Sequence, residues 1–455
     1  MASTLSRILH SKGLFARVLR SSGWIAVGFG GAQLIRLASN LILTRLLFPE
    51  AFGVMAIIMV LMQGLNNFSD VGITPSILQS RRGDEPGFLN TAWTMQALRG
   101  AGLWLATCVL AWPVALFYDE PMLAWYLPVA GLSLLVAGFN PTRIETANRH
   151  LMFGRLTQLD LLSAFLSTAV TVALAAVFPS VWALVAGLVA GAVIRLVLTA
   201  RFLPGAPNRL RWEPDAAREL FTFGRWVFLS TIAGFALAQG DKAILGKYLT
   251  LEQLGIYNIG FFLASFPLMF AQALTSRLMI PLYRERPPGT SRDNFLRLRR
   301  VRMGLGAAVL ALLAVVALAG VPLVGLLYDD RYAVAGAICV LIACALAPQV
   351  VGLGYDQAAL AGGDSYRFFL YVALRAAVFV ALFLTGAMHG GLVGALAGQA
   401  LASVVTYPAL AVLARRHGAW DGRSDLVLAA AALAIAAAAL AVNRAEIAAL
   451  IGGGG

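Results

Sequence analysis

Charged residues are scarce: Asp, Glu, Lys and Arg make up 13% of the 455 residues, where a soluble domain carries about a quarter. That scarcity excludes a water-soluble fold. Cysteine is scarcer still. Cys108, Cys339 and Cys344 sit in apolar runs without a CxxC spacing, which excludes a disulfide framework and a thiolate metal site and leaves packing as their role. The four histidines, His10, His150, His389 and His417, fall in loops or at the edges of apolar runs, so no intramembrane histidine relay or metal cluster can be assembled from them. A GxxxxGK[ST] phosphate loop is missing, which excludes ATP hydrolysis by that route. No cofactor is expected.

Apolar side chains fill the space these absences leave, at 60% of the chain. A helix crossing the hydrocarbon core needs about 20 mostly apolar residues. Measured that way, the runs predict spans at 23–46, 51–76, 91–117, 122–142, 157–178 and 180–202. A second set follows at 221–246, 253–276, 303–327, 334–357, 367–388 and 391–413, with an extra Ala-rich run at 425–442. The expectation is an all-α polytopic membrane protein of 12 to 13 transmembrane helices. Its expected parts are a basic amphipathic leader over 1–22, a six-helix bundle over 23–215, a second over 216–417, and an extra helix and tail over 418–455. In the leader, Leu5, Ile8, Leu9, Phe15, Val18 and Leu19 alternate with Arg7, Lys12, Arg17 and Arg20, the pattern of a helix lying on a membrane surface. A disordered basic leader is the alternative.

The net charge of +13 is spread between apolar runs and not gathered on one polar domain, so it reads as topology and not as a nucleic-acid surface. Alternate connections carry the arginines: Arg81 and Arg82; Arg149 and Arg155; Arg201 to Arg218; Arg277 to Arg302; Arg367; and Arg415 to Arg423. The opposite connections hold Lys247 and Arg331 beside Asp119, Glu120, Asp329 and Asp330. This asymmetry predicts a cytoplasmic N-terminus. The longest soluble segment is then the cytoplasmic link from Ser276 to Arg302.

The chain also repeats itself. RLLFPEAFGVMAI at 45–57 aligns without a gap on KYLTLEQLGIYNI at 247–259, matching Arg45 with Lys247, Glu50 with Glu252, Gly53 with Gly255 and Ile57 with Ile259. Six spans separate the copies, so both hairpins have one orientation. A parallel repeat of this kind implies two six-helix halves with a cavity between them, the plan of many transporters.

Charges inside apolar spans cost a few kcal/mol each and mark function or pairing. Arg36 lies in the middle of the first span with Asn40 one turn on, and Arg375 lies inside the eleventh. With Arg99 at its mouth, a cavity holding these residues suits an anionic headgroup such as a pyrophosphate. The opposing reading pairs the arginines with the buried acids Asp70, Asp160 or Asp356, as struts between helices. Asp241 and Lys242 are adjacent, point in different helical directions and each need a partner; a coupling-ion site or an interhelical salt bridge is open for Asp241. Gln63, Asn66 and Asn67 add polar lining on the second span, Asn140, Pro141 and Thr142 predict a kink ending the fourth, and Tyr355 and Gln357 line the tenth.

Several stretches resemble the polysaccharide transporter (Wzx-like oligosaccharide flippase) branch of the multidrug/oligosaccharidyl-lipid/polysaccharide exporter superfamily. They are RLLFPEAFGVMAI at 45–57, FSDVGITPSILQ at 68–79, LNTAWTMQ at 89–96, FGRWVFLS at 223–230 and QGDKAILGKYLTLEQLGIYNIGF at 239–261. The resemblance implies a twelve-helix core in two bundles that moves undecaprenyl-pyrophosphate-linked oligosaccharide from the cytoplasmic to the periplasmic leaflet. It also implies lipid-linked oligosaccharide and membrane lipids as partners, polymerase and export machinery beside them, no nucleic acid, and a monomer. Arg36 and Arg375 are this chain's own candidates.

Two other functions compete. A multidrug or small-molecule antiporter on the same fold would bind a cation, which intramembrane arginines repel at low dielectric. A glycan polymerase or ligase would present a sizeable external loop with catalytic residues, and the span map has none.

Overall fold

The computed structural model describes residues 14–452 apart from Asp70 and Val71. Among the described residues every regular element is a helix. Nine of these helices are long and apolar enough to cross a membrane, or ten if a bent pair counts as one span. Packing divides the chain into two compact units, one of 1–48 with 58–231 and one of 49–57 with 232–455.

The first unit contains α1 (Leu14–Leu46), the C-terminal part of α2 (Pro49–Phe68), α3 (Ile73–Gln79), α4 (Pro86–Phe117), α5 (Leu123–Gly138), α6 (Arg143–Arg149), α7 (Phe153–Val177), α8 (Val181–Phe202) and the start of α9 (Pro214–Tyr248). Its hairpins are α4 with α5 and α7 with α8, and α1 packs on α7. On α4, Leu105, Val109, Trp112 and Leu116 make an exposed stripe at helical spacing, which only a hydrocarbon solvent favours. The kink expected after the fourth span is present: α5 and α6 are bent by 57° across Asn140 and Thr142. The second span is shorter than expected. α2 ends at Phe68, where the Ser69 hydroxyl donates to Leu65 O at 2.7 Å, because the polar run Asn66 to Ser69 turns the backbone into side-chain bonds.

The connection from 203 to 213 lies along the start of α4. Asn90 Oδ1, Thr94 Oγ1 and Thr91 Oγ1 accept in turn from the backbone N–H of Arg209, Arg211 and Glu213. Arg149 caps the open carbonyls of α3, donating to Ile77 O and Ser80 O at 2.8 Å, and reaches Asp84 at 3.1 Å. Several connecting arginines therefore hold structure.

The second unit contains Pro49–Ile57, the rest of α9, α10 (Leu251–Glu285), α11 (Arg292–Leu327), α12 (Val334–Leu346), α13 (Asp356–Ala361), α14 (Ser365–Arg416), α15 (Gly422–Val442) and α16 (Arg444–Gly452). α14 has 52 residues in two legs, because its dihedrals leave the helical region at Gly390 and Gly391. The break falls where the sequence separates the eleventh and twelfth runs. The expected link from Ser276 to Arg302 is largely helical: α10 continues to Glu285 and α11 begins at Arg292, and helices of 35 and 36 residues outrun a core that about 20 residues span.

The two repeat copies start their helices at equivalent positions by different means. α2 opens on Pro49, preset for a first helical turn, and α10 opens on a capping box in which Thr250 Oγ1 accepts from Gln253 N and the Gln253 side chain accepts from Thr250 N. Glu50 and Glu252 lie in the first turns, where a carboxylate meets the positive end of the helix dipole. The matched glycines then touch the opposite copy. A Cβ on Gly53 would stand 2.0 Å from Leu251 O, and one on Gly255 would stand 1.9 Å from Pro49 O. The crossing admits no side chain at either place.

Candidate functional site

The tenth apolar run does not fold as one helix. α12 stops after 13 residues, about 20 Å, and gives way to a 3-10 turn at Ala347–Val350 and irregular backbone up to Asp356. Pro348 lacks the amide an α-helix needs there, and Gly354 takes φ 85°, a conformation that β-carbon-bearing residues avoid. Non-helical backbone at membrane depth persists only where it is buried in protein or lines a cavity. Here it does both: Val350, Val351, Leu353 and Tyr355 are buried, and Pro348, Gln349, Gly352, Leu353 and Gly354 border a cavity of about 470 Å³.

This cavity lies wholly within the second unit and is walled by α9, α10, α13, α14 and the broken segment. Arg375, from the first leg of α14, donates to Gln349 Oε1 at 2.9 Å. Asp356 lines the same cavity and accepts from Gln357 Nε2 at 3.1 Å. Thr275 and Gln399 are 3% and 6% exposed. Among the described residues, neither Thr275 Oγ1 nor Gln399 Oε1 has a hydrogen-bond partner. Leaving a buried polar atom unmatched costs about 1–3 kcal/mol, and both atoms are closed off from the cavity space as well.

Behind the cavity wall, Arg302 and Asp425 form an ion pair with side chains only 5% and 4% exposed. The hydroxyls of Tyr355 and Tyr407 both donate to the Asp425 carboxylate, the Arg302 guanidinium lies 3.9 Å from the Tyr355 ring centroid, and Arg302 Nη1 donates to Val351 O at 3.0 Å. Tyr407 also lines the cavity. The network therefore fixes the broken segment, the second leg of α14 and the extra helix α15 to one another. It corrects the placing of Arg302 in a cytoplasmic loop, and it turns Tyr355 away from the cavity toward Asp425.

The remaining candidate residues are distributed as follows. Arg36 is exposed on α1, and the Asn40 carbonyl accepts from the Thr44 hydroxyl at 2.9 Å. Arg99 joins α4 to the end of α2, donating to Ser69 Oγ and Asn66 Oδ1 at 2.9 Å each. Asp160 stands 3.4 Å from Arg195. Asp241, 4% exposed, accepts from Tyr257 Oη at 2.7 Å, while Lys242 lies 5.0 Å from the Phe261 ring centroid. Asp70 lies outside the described residues. Arg375 and Asp356 are thus brought into one cavity. Gln349, Thr275 and Gln399 were not among the sequence candidates; the Pro348, Gly352, Gly354 interruption in an apolar run is a signal for Gln349 alone.

Comparison with known proteins completes the description. Residues 42–337 match the family described as polysaccharide biosynthesis protein. The succinoglycan biosynthesis transport protein ExoT of Rhizobium meliloti (strain 1021) is 23% identical over 58% of this chain and 53% of its own. The teichuronic acid biosynthesis protein TuaB of Bacillus subtilis (strain 168) is 20% identical over 51% of this chain and 48% of its own. The chain thus spans about half the length of these curated relatives. Among solved structures, the lipid II flippase MurJ in an inward closed conformation aligns with a TM-score of 0.64 at 10% identity, covering 93% of this chain and 99% of that one. An inward-facing multidrug resistance MATE family transporter of the MOP superfamily aligns with a TM-score of 0.61 at 14% identity, covering 88% of this chain and 95% of that one. The chain has the all-α fold of those transporters and is a multi-pass membrane protein, and by its match over more than half its length it belongs to the polysaccharide biosynthesis protein family.

Proposed function

We propose that this protein is a transporter and not an enzyme, and that it carries a polyprenyl-pyrophosphate-linked oligosaccharide from the cytoplasmic to the periplasmic leaflet of a bacterial inner membrane by alternating access around a basic cavity. The observation that carries this reading is a polar cavity built on a broken helix, with Arg375 in its wall, inside a unit whose surface is apolar. An oligosaccharide head cannot cross hydrocarbon unaided, because each unsatisfied polar group costs several kcal/mol there. A transporter therefore has to offer polar groups along the way while the polyprenyl chain stays in lipid. Arg375 supplies a permanent cation with donors for phosphate oxygens. Arg36, exposed on α1, is a second candidate for the same head.

Family membership supports a role in polysaccharide assembly, and the names of ExoT and TuaB give those relatives parts in succinoglycan biosynthesis transport and teichuronic acid biosynthesis. The MurJ-like fold supports lipid-linked cargo, and a polymerase and export machinery would act on what this protein delivers. The loop arginines support a cytoplasmic N-terminus. The rival reading, a cation antiporter of the MATE type, rests on the same fold, and the intramembrane arginine argues against it.

The test is translocation in proteoliposomes loaded with lipid-linked oligosaccharide from the host, read by access of an external glycan-modifying enzyme. Protein-dependent exposure of the glycan is expected, together with accumulation of inner-leaflet precursor in a deletion strain. Normal polysaccharide output from that strain would overturn the proposal.

A further inference from the structure

We infer that the second unit carries a docking surface for the phosphates of acidic phospholipids, built where the turn between α10 and α11 meets the turn between α14 and α15. The surface concerns the lipid around the protein and holds for any cargo.

Packing sets the place. A Cβ on Gly418 would stand 2.8 Å from Gly289 Cα, so the two turns touch, and Arg299 Nε reaches Asp421 across them at 3.0 Å. Four helix ends are thereby gathered together. Arg284 and Arg286 stand at the end of α10, Arg292 and Arg300 in the first turns of α11, Arg415 and Arg416 at the end of α14, and Arg423 at the start of α15; all seven are exposed.

The acids that could neutralise them are already engaged. Asp293 holds Arg297 at 2.9 Å, Asp421 holds Arg299, and Asp425 holds the buried Arg302. Glu285 is the one other acid within 284–302 and 415–425. Among the described residues none of the seven arginines is in an ion pair. A surface so dominated by one sign draws anions, and guanidinium forks match phosphate oxygens in particular.

The apolar side chains between the charges select a lipid over an acidic protein. Leu296 lies one turn from both Arg292 and Arg300, Val412 one turn before Arg416, and Leu426 and Val427 one turn after Arg423; all four aliphatic side chains are exposed. Three helices thus repeat one pattern, an exposed arginine beside an exposed aliphatic. The boundary of a bilayer answers both, with phosphates on the forks and acyl chains on the leucines and valines. An acidic protein surface answers only the arginines. Trp420, with the Arg415 guanidinium 5.2 Å from its ring centroid, is the residue type that collects at that boundary. The lengths of α10 and α11, 35 and 36 residues, carry their arginine-bearing ends past the hydrocarbon to headgroup depth, where clusters of about four to eight basic residues recruit acidic lipid.

The experiment titrates the purified full chain in neutral detergent with phosphatidylglycerol and, separately, with phosphatidylcholine, counting bound lipid by native mass spectrometry. Phosphatidylglycerol should be retained at least tenfold more strongly, and less so as salt rises. Arg292→Gln, Arg300→Gln, Arg416→Gln and Arg423→Gln combined should remove the preference, and the same four positions changed to Lys should keep part of it. Each single glutamine variant should lower retention in part, so the outcome does not hang on the fold of the combined variant. Arg81, Arg155, Arg201 and Arg209, exposed arginines of the first unit, provide the control: changing these four to Gln removes the same charge and should leave the preference intact. Wild-type protein that retains both lipids equally overturns the surface. So does equal loss from the two four-residue sets, which makes net charge the cause. Full competition by inorganic phosphate would assign the arginines to free anions, and retention of an acidic protein on them in place of lipid would assign them to a partner; either result overturns the lipid surface.

Discussion

Arg302 and Asp425 bury opposite charges against each other between α11 and α15, 123 residues apart in sequence. The pair is fully furnished. Tyr355 and Tyr407 satisfy the carboxylate, and Val351 O satisfies a second guanidinium nitrogen. Removing one partner of such a pair strands a charge and costs about 3–5 kcal/mol, whereas replacing both with apolar residues of similar volume can be neutral. Asp425→Leu alone should therefore lower thermal stability in detergent sharply, and the double variant Arg302→Met with Asp425→Leu should recover most of the loss. A double variant no better than the single one would show that the pair does more than compensate itself.

The reciprocal glycines allow a second prediction. A Cβ at either Gly53 or Gly255 meets backbone, which cannot rotate away, so Gly53→Ala and Gly255→Ala should each cost about 1–3 kcal/mol as overpacking. Both disturb one contact, so the double variant should fall short of the sum. Denaturation of the purified single and double variants checks this.

Arg375 should separate charge from shape. Arg375→Ala is expected to lower translocation at least tenfold with normal membrane abundance, and Arg375→Lys to retain part of it, since a point charge replaces a planar fork. Arg36→Ala should lower translocation without lowering abundance. Loss of the folded protein in that variant would make Arg36 a structural partner instead.

Asp364, at the start of α14, accepts from Arg367 N at 3.2 Å and from its guanidinium at 2.7 Å. The Arg367 side chain holds its carboxyl below the usual carboxylate value. A depressed folded-state value adds stability above the unfolded value of about 3.9, and this is lost as pH falls through the folded one. Asp364→Asn should thus lower the thermal midpoint near neutral pH, and the gap to wild type should close in acid below about pH 4. A gap that persists there would assign the effect to packing.

Much of this architecture is written in periods and composition. Each apolar run contains helix, and the match of Gly53 with Gly255 corresponds to an actual crossing. The breaks were harder to see. A hydropathy window averages over Pro348 and Gly354, so the tenth run reads as continuous although its backbone turns at the cavity. Arg302 was misplaced for a related reason: it sits at the polar end of a run among seven other arginines from 277 to 300, and only the fold brings Asp425 to it from more than a hundred residues away. Thr275 and Gln399 carry no local signal, because a lone hydroxyl or amide in an apolar span is common, and its meaning depends on what the neighbouring helices leave unmatched.

The crossing at Gly53 and Gly255 has one more consequence. Position 53 touches 251, the counterpart of 49, and position 255 touches 49 itself. A contact that maps onto itself when its two sides are exchanged is isologous, the form made by two identical subunits across a dyad. The crossing thus has the form of a homodimer seam carried within one polypeptide. In a homodimer one mutation changes both glycines at once; within one polypeptide each can be substituted alone, yet each still constrains the other, because a larger residue on one side has no compensating smaller one available on the partner, glycine being already the smallest.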